Sequence, residues 1–165
     1  MRTIRIGAGA GFQGDRIAPA VDLAERGELD YLVFECLGER TIALAQQARM
    51  SDPTKGYDPL LDRRMRAVLP GCVRNGTRIV TNMGAANPRA AAKRTLELAR
   101  ELGLNGLKVA AVTGDDILDR IGEFVLDETG APAAAIGHRL VSANAYIGMH
   151  GLVAALDAGA DVVIC

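Results

Sequence analysis

Short β-branched runs alternate with longer helical patterns along this chain, and that alternation constrains the fold more than any other feature. None of the connections offers a two-residue hairpin turn, and each is long enough for a right-handed crossover, so the strands are expected to lie parallel. The strand runs are TIRIGA (3–8), DYLVFECL (30–37), TRIVTNMG (77–84), KVAAVTGD (108–115) and DVVIC (161–165). They are mostly apolar on both faces, the pattern of strands covered by helices on both sides. Between them, Ile17, Ala20, Val21 and Ala24 recur at helical spacing, as do Ala91, Thr95, Leu98 and Leu102, and then Ile117, Ile121, Phe124 and Val125. The expected class is α/β: a parallel sheet with helices on both faces, in a Rossmann-like three-layer arrangement. Strand order stays open, because a doubly wound sheet and part of a closed barrel begin with the same alternation.

Asp15, Asn87 and Asp116 read as N-caps, with Pro88 in the first turn of its helix, where no N–H is needed. The stretch RMSDPTKGYDPLLDRRM (49–65) breaks the rhythm with Pro53, Gly56 and Pro59 and is expected to be a loop between two helices. No repeat or low-complexity tract divides the 165 residues, a length suited to one domain with its own core. The final run reads as a strand entering a core. We therefore expect residues 1–165 to be the N-terminal part of a longer protein, with the last strand stabilised by another chain; the plainer alternative is an edge strand at a natural terminus.

The balance of 19 basic and 20 acidic residues supplies no field for a nucleic-acid backbone or an anionic membrane, so neither partner is expected. Cys36, Cys72 and Cys165 lie far apart with no zinc-ligand spacing and read as reduced thiols. With no signal core and no apolar run of about 20 residues, the expectation is a soluble cytoplasmic protein. His138 and His150 lack a serine or cysteine at nucleophile spacing and read as ordinary solvated or satisfied side chains.

Polar and glycine residues gather just after the strands, which in a parallel sheet places them along one rim, where ligands bind. Gly9, Gly11 and Gly14 in GAGAGFQGD spell G-x-G-x-x-G, and Glu35 stands 21 residues beyond Gly14, near where an acidic residue would hold a ribose. Asp15 argues against that reading, because it puts a carboxylate beside a pyrophosphate. NAD is thus the lesser expectation. TNMGAANP supplies Asn82, Gly84 and Asn87 in a second strand-to-helix turn, for which a capped turn needs no function. In TGDD, Asp116 has helix capping as an alternative task, leaving Asp115 as the better candidate.

Taken together, GAGAGFQGDR, YLVFECLGERT, RIVTNMGAANP, KVAAVTGDD and SANAYIG…ALDAGADVVI resemble, in this order, the N-terminal region of the acyclic terpene utilisation (AtuA-like) family, from Arg2 to the last residue. The resemblance implies an enzyme or accessory subunit of branched acyl-CoA catabolism, as in bacterial operons that degrade citronellol and geraniol. It also implies a pocket: Gly11, Gly14 and Asp15; Glu39 and Arg40 from GERT; Asn82, Gly84 and Asn87; Asp115 and Asp116; and Asn144 and Tyr146 from SANAYIG. Met83 and Ala85 make the third motif bulkier than a double-glycine version would be.

Carboxylates at Asp15, Glu39 and Asp115, a guanidinium at Arg40 and amides at Asn82 and Asn144 suit acid–base chemistry on a carbonyl compound, such as a lyase or hydratase reaction. Asp15 is expected to face Asp115 across the strand ends. The substrate is a small molecule, a CoA thioester or carboxylic acid; hard oxygen ligands would also accept a divalent cation, though no spacing identifies a metal site. Two other readings remain: a dinucleotide-dependent oxidoreductase using Gly9, Gly11, Gly14 and Glu35, and a non-catalytic subunit whose sheet edge docks a companion chain or a second copy.

Overall fold

In the computed structural model, which describes residues 3–165, five strands form one sheet. Arg2, where the family resemblance begins, lies outside the described residues. The strands are β1 (Ile6–Ala10), β2 (Tyr31–Phe34), β3 (Arg78–Thr81), β4 (Val109–Ala111) and β5 (Val162–Ile164), in the spatial order β1-β2-β3-β5-β4. Every pairing is parallel: Tyr31 lies between Ile6 and Arg78, and Val162 between Ile79 and Val109. The α/β class with a parallel sheet is therefore correct. The edges are β1 and β4, so the alternative of β5 as an edge strand is wrong; it is inserted between β3 and β4.

The α-helices are α1 (Ala18–Arg26), α2 (Glu39–Ser51), α3 (Leu61–Asn75), α4 (Pro88–Glu101) and α5 (His150–Asp157). From β1 through β4 each crossover advances in one direction, and right-handed connections then stack their helices on one face. Accordingly α3 packs between α1 and α4. Leu61, Met65, Val68, Leu69 and Cys72 form one helical stripe of α3, and all are buried against Leu32, Phe34, Ile79 and Ile164 of the sheet. At about 1.5–3 kcal/mol for each large apolar side chain removed from water, this stripe is the main adhesive of the domain.

The step from β4 back to β5 reverses direction, which puts α5 on the opposite face. Arg78 on that face donates to the carbonyl of Leu156 in α5 (3.4 Å), and a Cβ on Gly151 of α5 would come within 2.5 Å of Val112. Helices thus lie on both faces, but unequally. Over β1 the α5 side is open, and Ile6 is 66% exposed while Leu32 on the other face is fully buried.

Three local expectations are corrected. The first helix begins at Ala18, with Ile17 as its N-cap, so Asp15 caps nothing there; its carboxylate turns back into the preceding loop. The 49–65 loop is shorter than expected, since α2 runs to Ser51 and α3 starts at Leu61. Residues 117–125 form only a 3-10 helix, Leu118–Glu123, because the excursion between β4 and α5 lies away from the core: among residues 113–149 Ala133 alone is buried, and Val125 is 64% exposed.

Candidate functional site

The C-terminal ends of the strands carry the polar residues, and the loop after β1 is the simplest to account for. Asp15 Oδ2 accepts from the backbone N–H groups of Gly11 (2.6 Å) and Phe12 (3.2 Å). Those N–H groups are the ones a glycine loop offers to a pyrophosphate, and here a carboxylate of the chain itself occupies them. The glycine spacing has a packing cause as well. A Cβ on Gly9 would meet the Phe34 ring at 2.6 Å, and one on Gly14 the Phe12 ring at 2.4 Å.

Beneath this loop lies Arg64 of α3, 1% exposed. Its Nη2 donates to the carbonyls of Gln13 (2.6 Å) and Asp15 (3.3 Å), while Nη1 reaches Asp58 Oδ2 and Cys36 Sγ, each at 3.3 Å. One guanidinium therefore ties the β1 loop, the end of β2 and the α2–α3 loop. Burial pushes the Asp58 carboxyl up, opposed by the backbone N–H of Leu60 and the charge of Arg64. Burial likewise pushes the Cys36 thiol up to about 12, so it is an unreactive core thiol.

At the end of β2 and β3, Asn82 Oδ1 accepts from the Cys36 N–H (2.7 Å) and its Nδ2 donates to Glu35 Oε1 (3.0 Å). Glu35, considered above for a ribose, is thus held by an amide. Beyond it, Gly84 fits where nothing larger would: a Cβ there would stand 2.6 Å from the Cys165 carbonyl and 2.8 Å from Pro88 Cα. Ala85 holds a left-handed φ of 47°, a strained position for a residue with a Cβ. Asn87 accepts from the Ala90 N–H as the cap of α4, and its Nδ2 donates to the carbonyls of Pro53 and Lys55, tying this turn to the loop after α2.

At the end of β4, Asp115 Oδ2 accepts from Asn144 Nδ2 (2.9 Å), and the Ala145 N–H donates to the Asp115 carbonyl. Asp116 is bound differently: Oδ1 accepts from the Leu118 N–H and Oδ2 pairs with Arg49 of α2 at 3.2 Å. Arg49 also donates to the Ala86 carbonyl (2.8 Å), joining α2 to the β3 and β4 loops.

Strand order decides which of these groups share a site. With neighbouring strands about 4.8 Å apart, the ends of β1 and β4 are about 19 Å apart, so Asp15 and Asp115 stand at opposite edges and do not face each other. The side chains of Glu39 and Arg40, at the start of α2, and of Tyr146 are exposed and make no hydrogen bond or ion pair among the described residues. What does converge, around the end of β5, are the loops that follow β3 and β4. The β3 connection leaves for the α4 face and the β4 connection for the α5 face, which is the topology that opens a ligand crevice in parallel sheets. At the end of β5, Cys165 Sγ lies 3.4 Å from the Thr81 carbonyl. Burial and then the charge of Asp115 raise the Cys165 thiol, placing those two groups within electrostatic reach.

Arg49, Arg64, Thr81 and Cys165 are constituents of the rim that no motif singled out. The arginines lie in the 49–65 stretch read as a loop between two helices, and only tertiary contact distinguishes them. Away from the rim, a cleft of about 390 Å³ opens near the N-terminal ends of β3 and β5, bordered by Leu69, Cys72, Thr77 and Leu107. It gathers no group of carboxylates. Among the described residues no group of three or more His, Cys, Asp or Glu side chains is arranged to hold a metal, and no helix is long and apolar enough to cross a membrane.

The fold and its rim define an α/β protein with polar loops at the strand ends, beside a switch in chain direction. Residues 4–165 match the acyclic terpene utilisation family protein AtuA, and the chain belongs to that family. No curated protein and no solved structure matches it.

Proposed function

We propose that the protein serves branched acyl-CoA or carboxylic-acid catabolism of the acyclic terpene utilisation type, as an enzyme or enzyme subunit acting on a carbonyl compound in the crevice over β3, β5 and β4. Family membership supports the metabolic setting. The observation that carries the site is Asp115: one carboxylate oxygen is held by Asn144, and the other has no partner among the described residues. Such a group has a fixed orientation and a free lone pair, the requirements of a general base, or of a general acid once protonated. Glu35 repeats the arrangement beside β3, with Oε1 accepting from Asn82 and from the Leu37 N–H. The ends of β2 and β4 are about 14 Å apart, so the two carboxylates address different parts of a ligand and do not share one proton. In this reading Asn82 and Gly84 line the crevice, Asn144 orients the acid–base group, and Asp15 serves the fold of its own loop.

Thermal-shift titrations against 3-methylbutanoyl-CoA, the free acid, NAD, FAD and magnesium test the proposal. Stabilisation by the thioester or the acid, lost in Asp115→Asn, is the expected result. Stabilisation by NAD alone, lost when Gly11 is replaced, would return the oxidoreductase reading.

A further inference from the structure

Helix α2 differs from the helices of the α1–α3–α4 layer: it has no buried residue and does not pack into that layer. Its course explains this. It leaves β2 through Gly38, and by Arg49 it has reached the Ala86 carbonyl after β3 and Asp116 after β4. The ends of β2 and β4 are three strand spacings apart, about 14 Å, and a helix of 13 residues is about 20 Å long. The helix is therefore long enough to reach from the end of β2, past the ends of β3 and β5, to the loops after β3 and β4 that Arg49 contacts. Ala85 and Ala86 are buried although they lie in a turn at the sheet's end. The polar fastening at Arg49 is slight. The Arg49–Asp116 pair is about 40% exposed on both sides, a setting in which ion pairs are weak, and the contact to Ala86 is one hydrogen bond. Glycines flank the helix: Gly38, with open space where a side chain would be, and Gly56, at φ 99°, which packs close against Arg49 Cβ and the Ala45 carbonyl.

We propose that Arg49 is a positioning residue of the rim site, latching α2 as a lid across the crevice through Asp116 and Ala86, so that releasing the latch opens Asp115 and Cys165 to solvent. The importance of the covered groups rests on the functional reading above; the latch itself can be tested without any ligand. N-ethylmaleimide labelling of the three thiols, resolved by peptide mass spectrometry, compares the wild-type chain with Arg49→Met. Cys165 is expected to react at least threefold faster in the variant, while Cys36 and Cys72, buried in the core, keep their wild-type rates. Hydrogen exchange should rise in parallel over residues 39–51 and not over α3. A Cys165 rate within threefold of wild type overturns the proposal, as does an acceleration shared equally by all three thiols, which reports general loosening. Failure of the metabolic reading would appear separately, in the ligand titrations.

Discussion

The loop after β1 and the crevice over β5 belong to the same rim of the same sheet, yet their polar groups are engaged differently. After β1, Asp15 closes on the N–H groups of Gly11 and Phe12, and Arg64 holds the loop's carbonyls from below. At the ends of β2 and β4, Glu35 and Asp115 are, like Asp15, anchored through one oxygen, but their donors include the side-chain amides of distant residues, Asn82 and Asn144. A glycine fingerprint can thus be a packing device whose carboxylate binds only its own loop, whereas Glu35 and Asp115 are oriented by residues distant in the sequence.

The largest expected effect breaks the closed side of this comparison. Arg64→Met leaves Asp58 buried without its cation, and losing one member of such a pair costs about 3–5 kcal/mol, measurable by chemical denaturation. This deficit has a pH signature. Burial raises the folded carboxyl of Asp58 above its ordinary value of 3.8, so its protonated form is favoured by folding. Its contribution to stability is present below that ordinary value and is lost as pH rises through the folded value. The Arg64→Met deficit should therefore shrink on acidification, because protonated Asp58 no longer needs the guanidinium.

Next in size is a pair of glycine substitutions that sharpens the contrast. Gly84→Ala drives a Cβ against the Cys165 carbonyl and Pro88 Cα, both backbone, at an expected cost of about 1–3 kcal/mol. Gly11→Ala meets only Asp15 Oδ2 at 3.7 Å, an ordinary contact, so its change in midpoint should be much smaller. Asp15→Ala removes the acceptor of two exposed N–H groups and should cost about 1 kcal/mol by denaturation, leaving the crevice unaltered. The smallest effect has the opposite sign: Ala85→Gly relieves a left-handed φ and should stabilise by up to about 1 kcal/mol, read as a small rise in Tm.

How far the sequence carries can be argued from these same residues. All five strands were legible, because apolar β-branched runs between helical patterns have few other uses, and the ordered motifs pointed to the family the chain belongs to. Strand order was not legible, since the same alternation serves several windings, and with it went the expected meeting of Asp15 and Asp115. The cap assigned to Asp15 failed because an aspartate before a helix can accept from N–H groups on either side, and here the tight glycine loop won. The periodic apolar residues at 117–125 promised a helix, but periodicity stabilises one only where a core receives its face. Arg49 and Arg64 carried no signal, because a salt bridge across 67 residues or a guanidinium under a loop leaves no spacing to read.

The central claim, that chemistry lies over β5 and not in the glycine loop, is tested most directly by calorimetric titration of 3-methylbutanoyl-CoA into the wild-type chain, Asp115→Asn and Asp15→Asn. Both substitutions keep shape and the ability to accept a hydrogen bond, so loss of charge is the variable. The account predicts that Asp115→Asn weakens binding at least tenfold while Asp15→Asn stays within threefold of wild type. The reverse order, with Asp15→Asn the damaging change, would contradict it and move the site to the loop after β1.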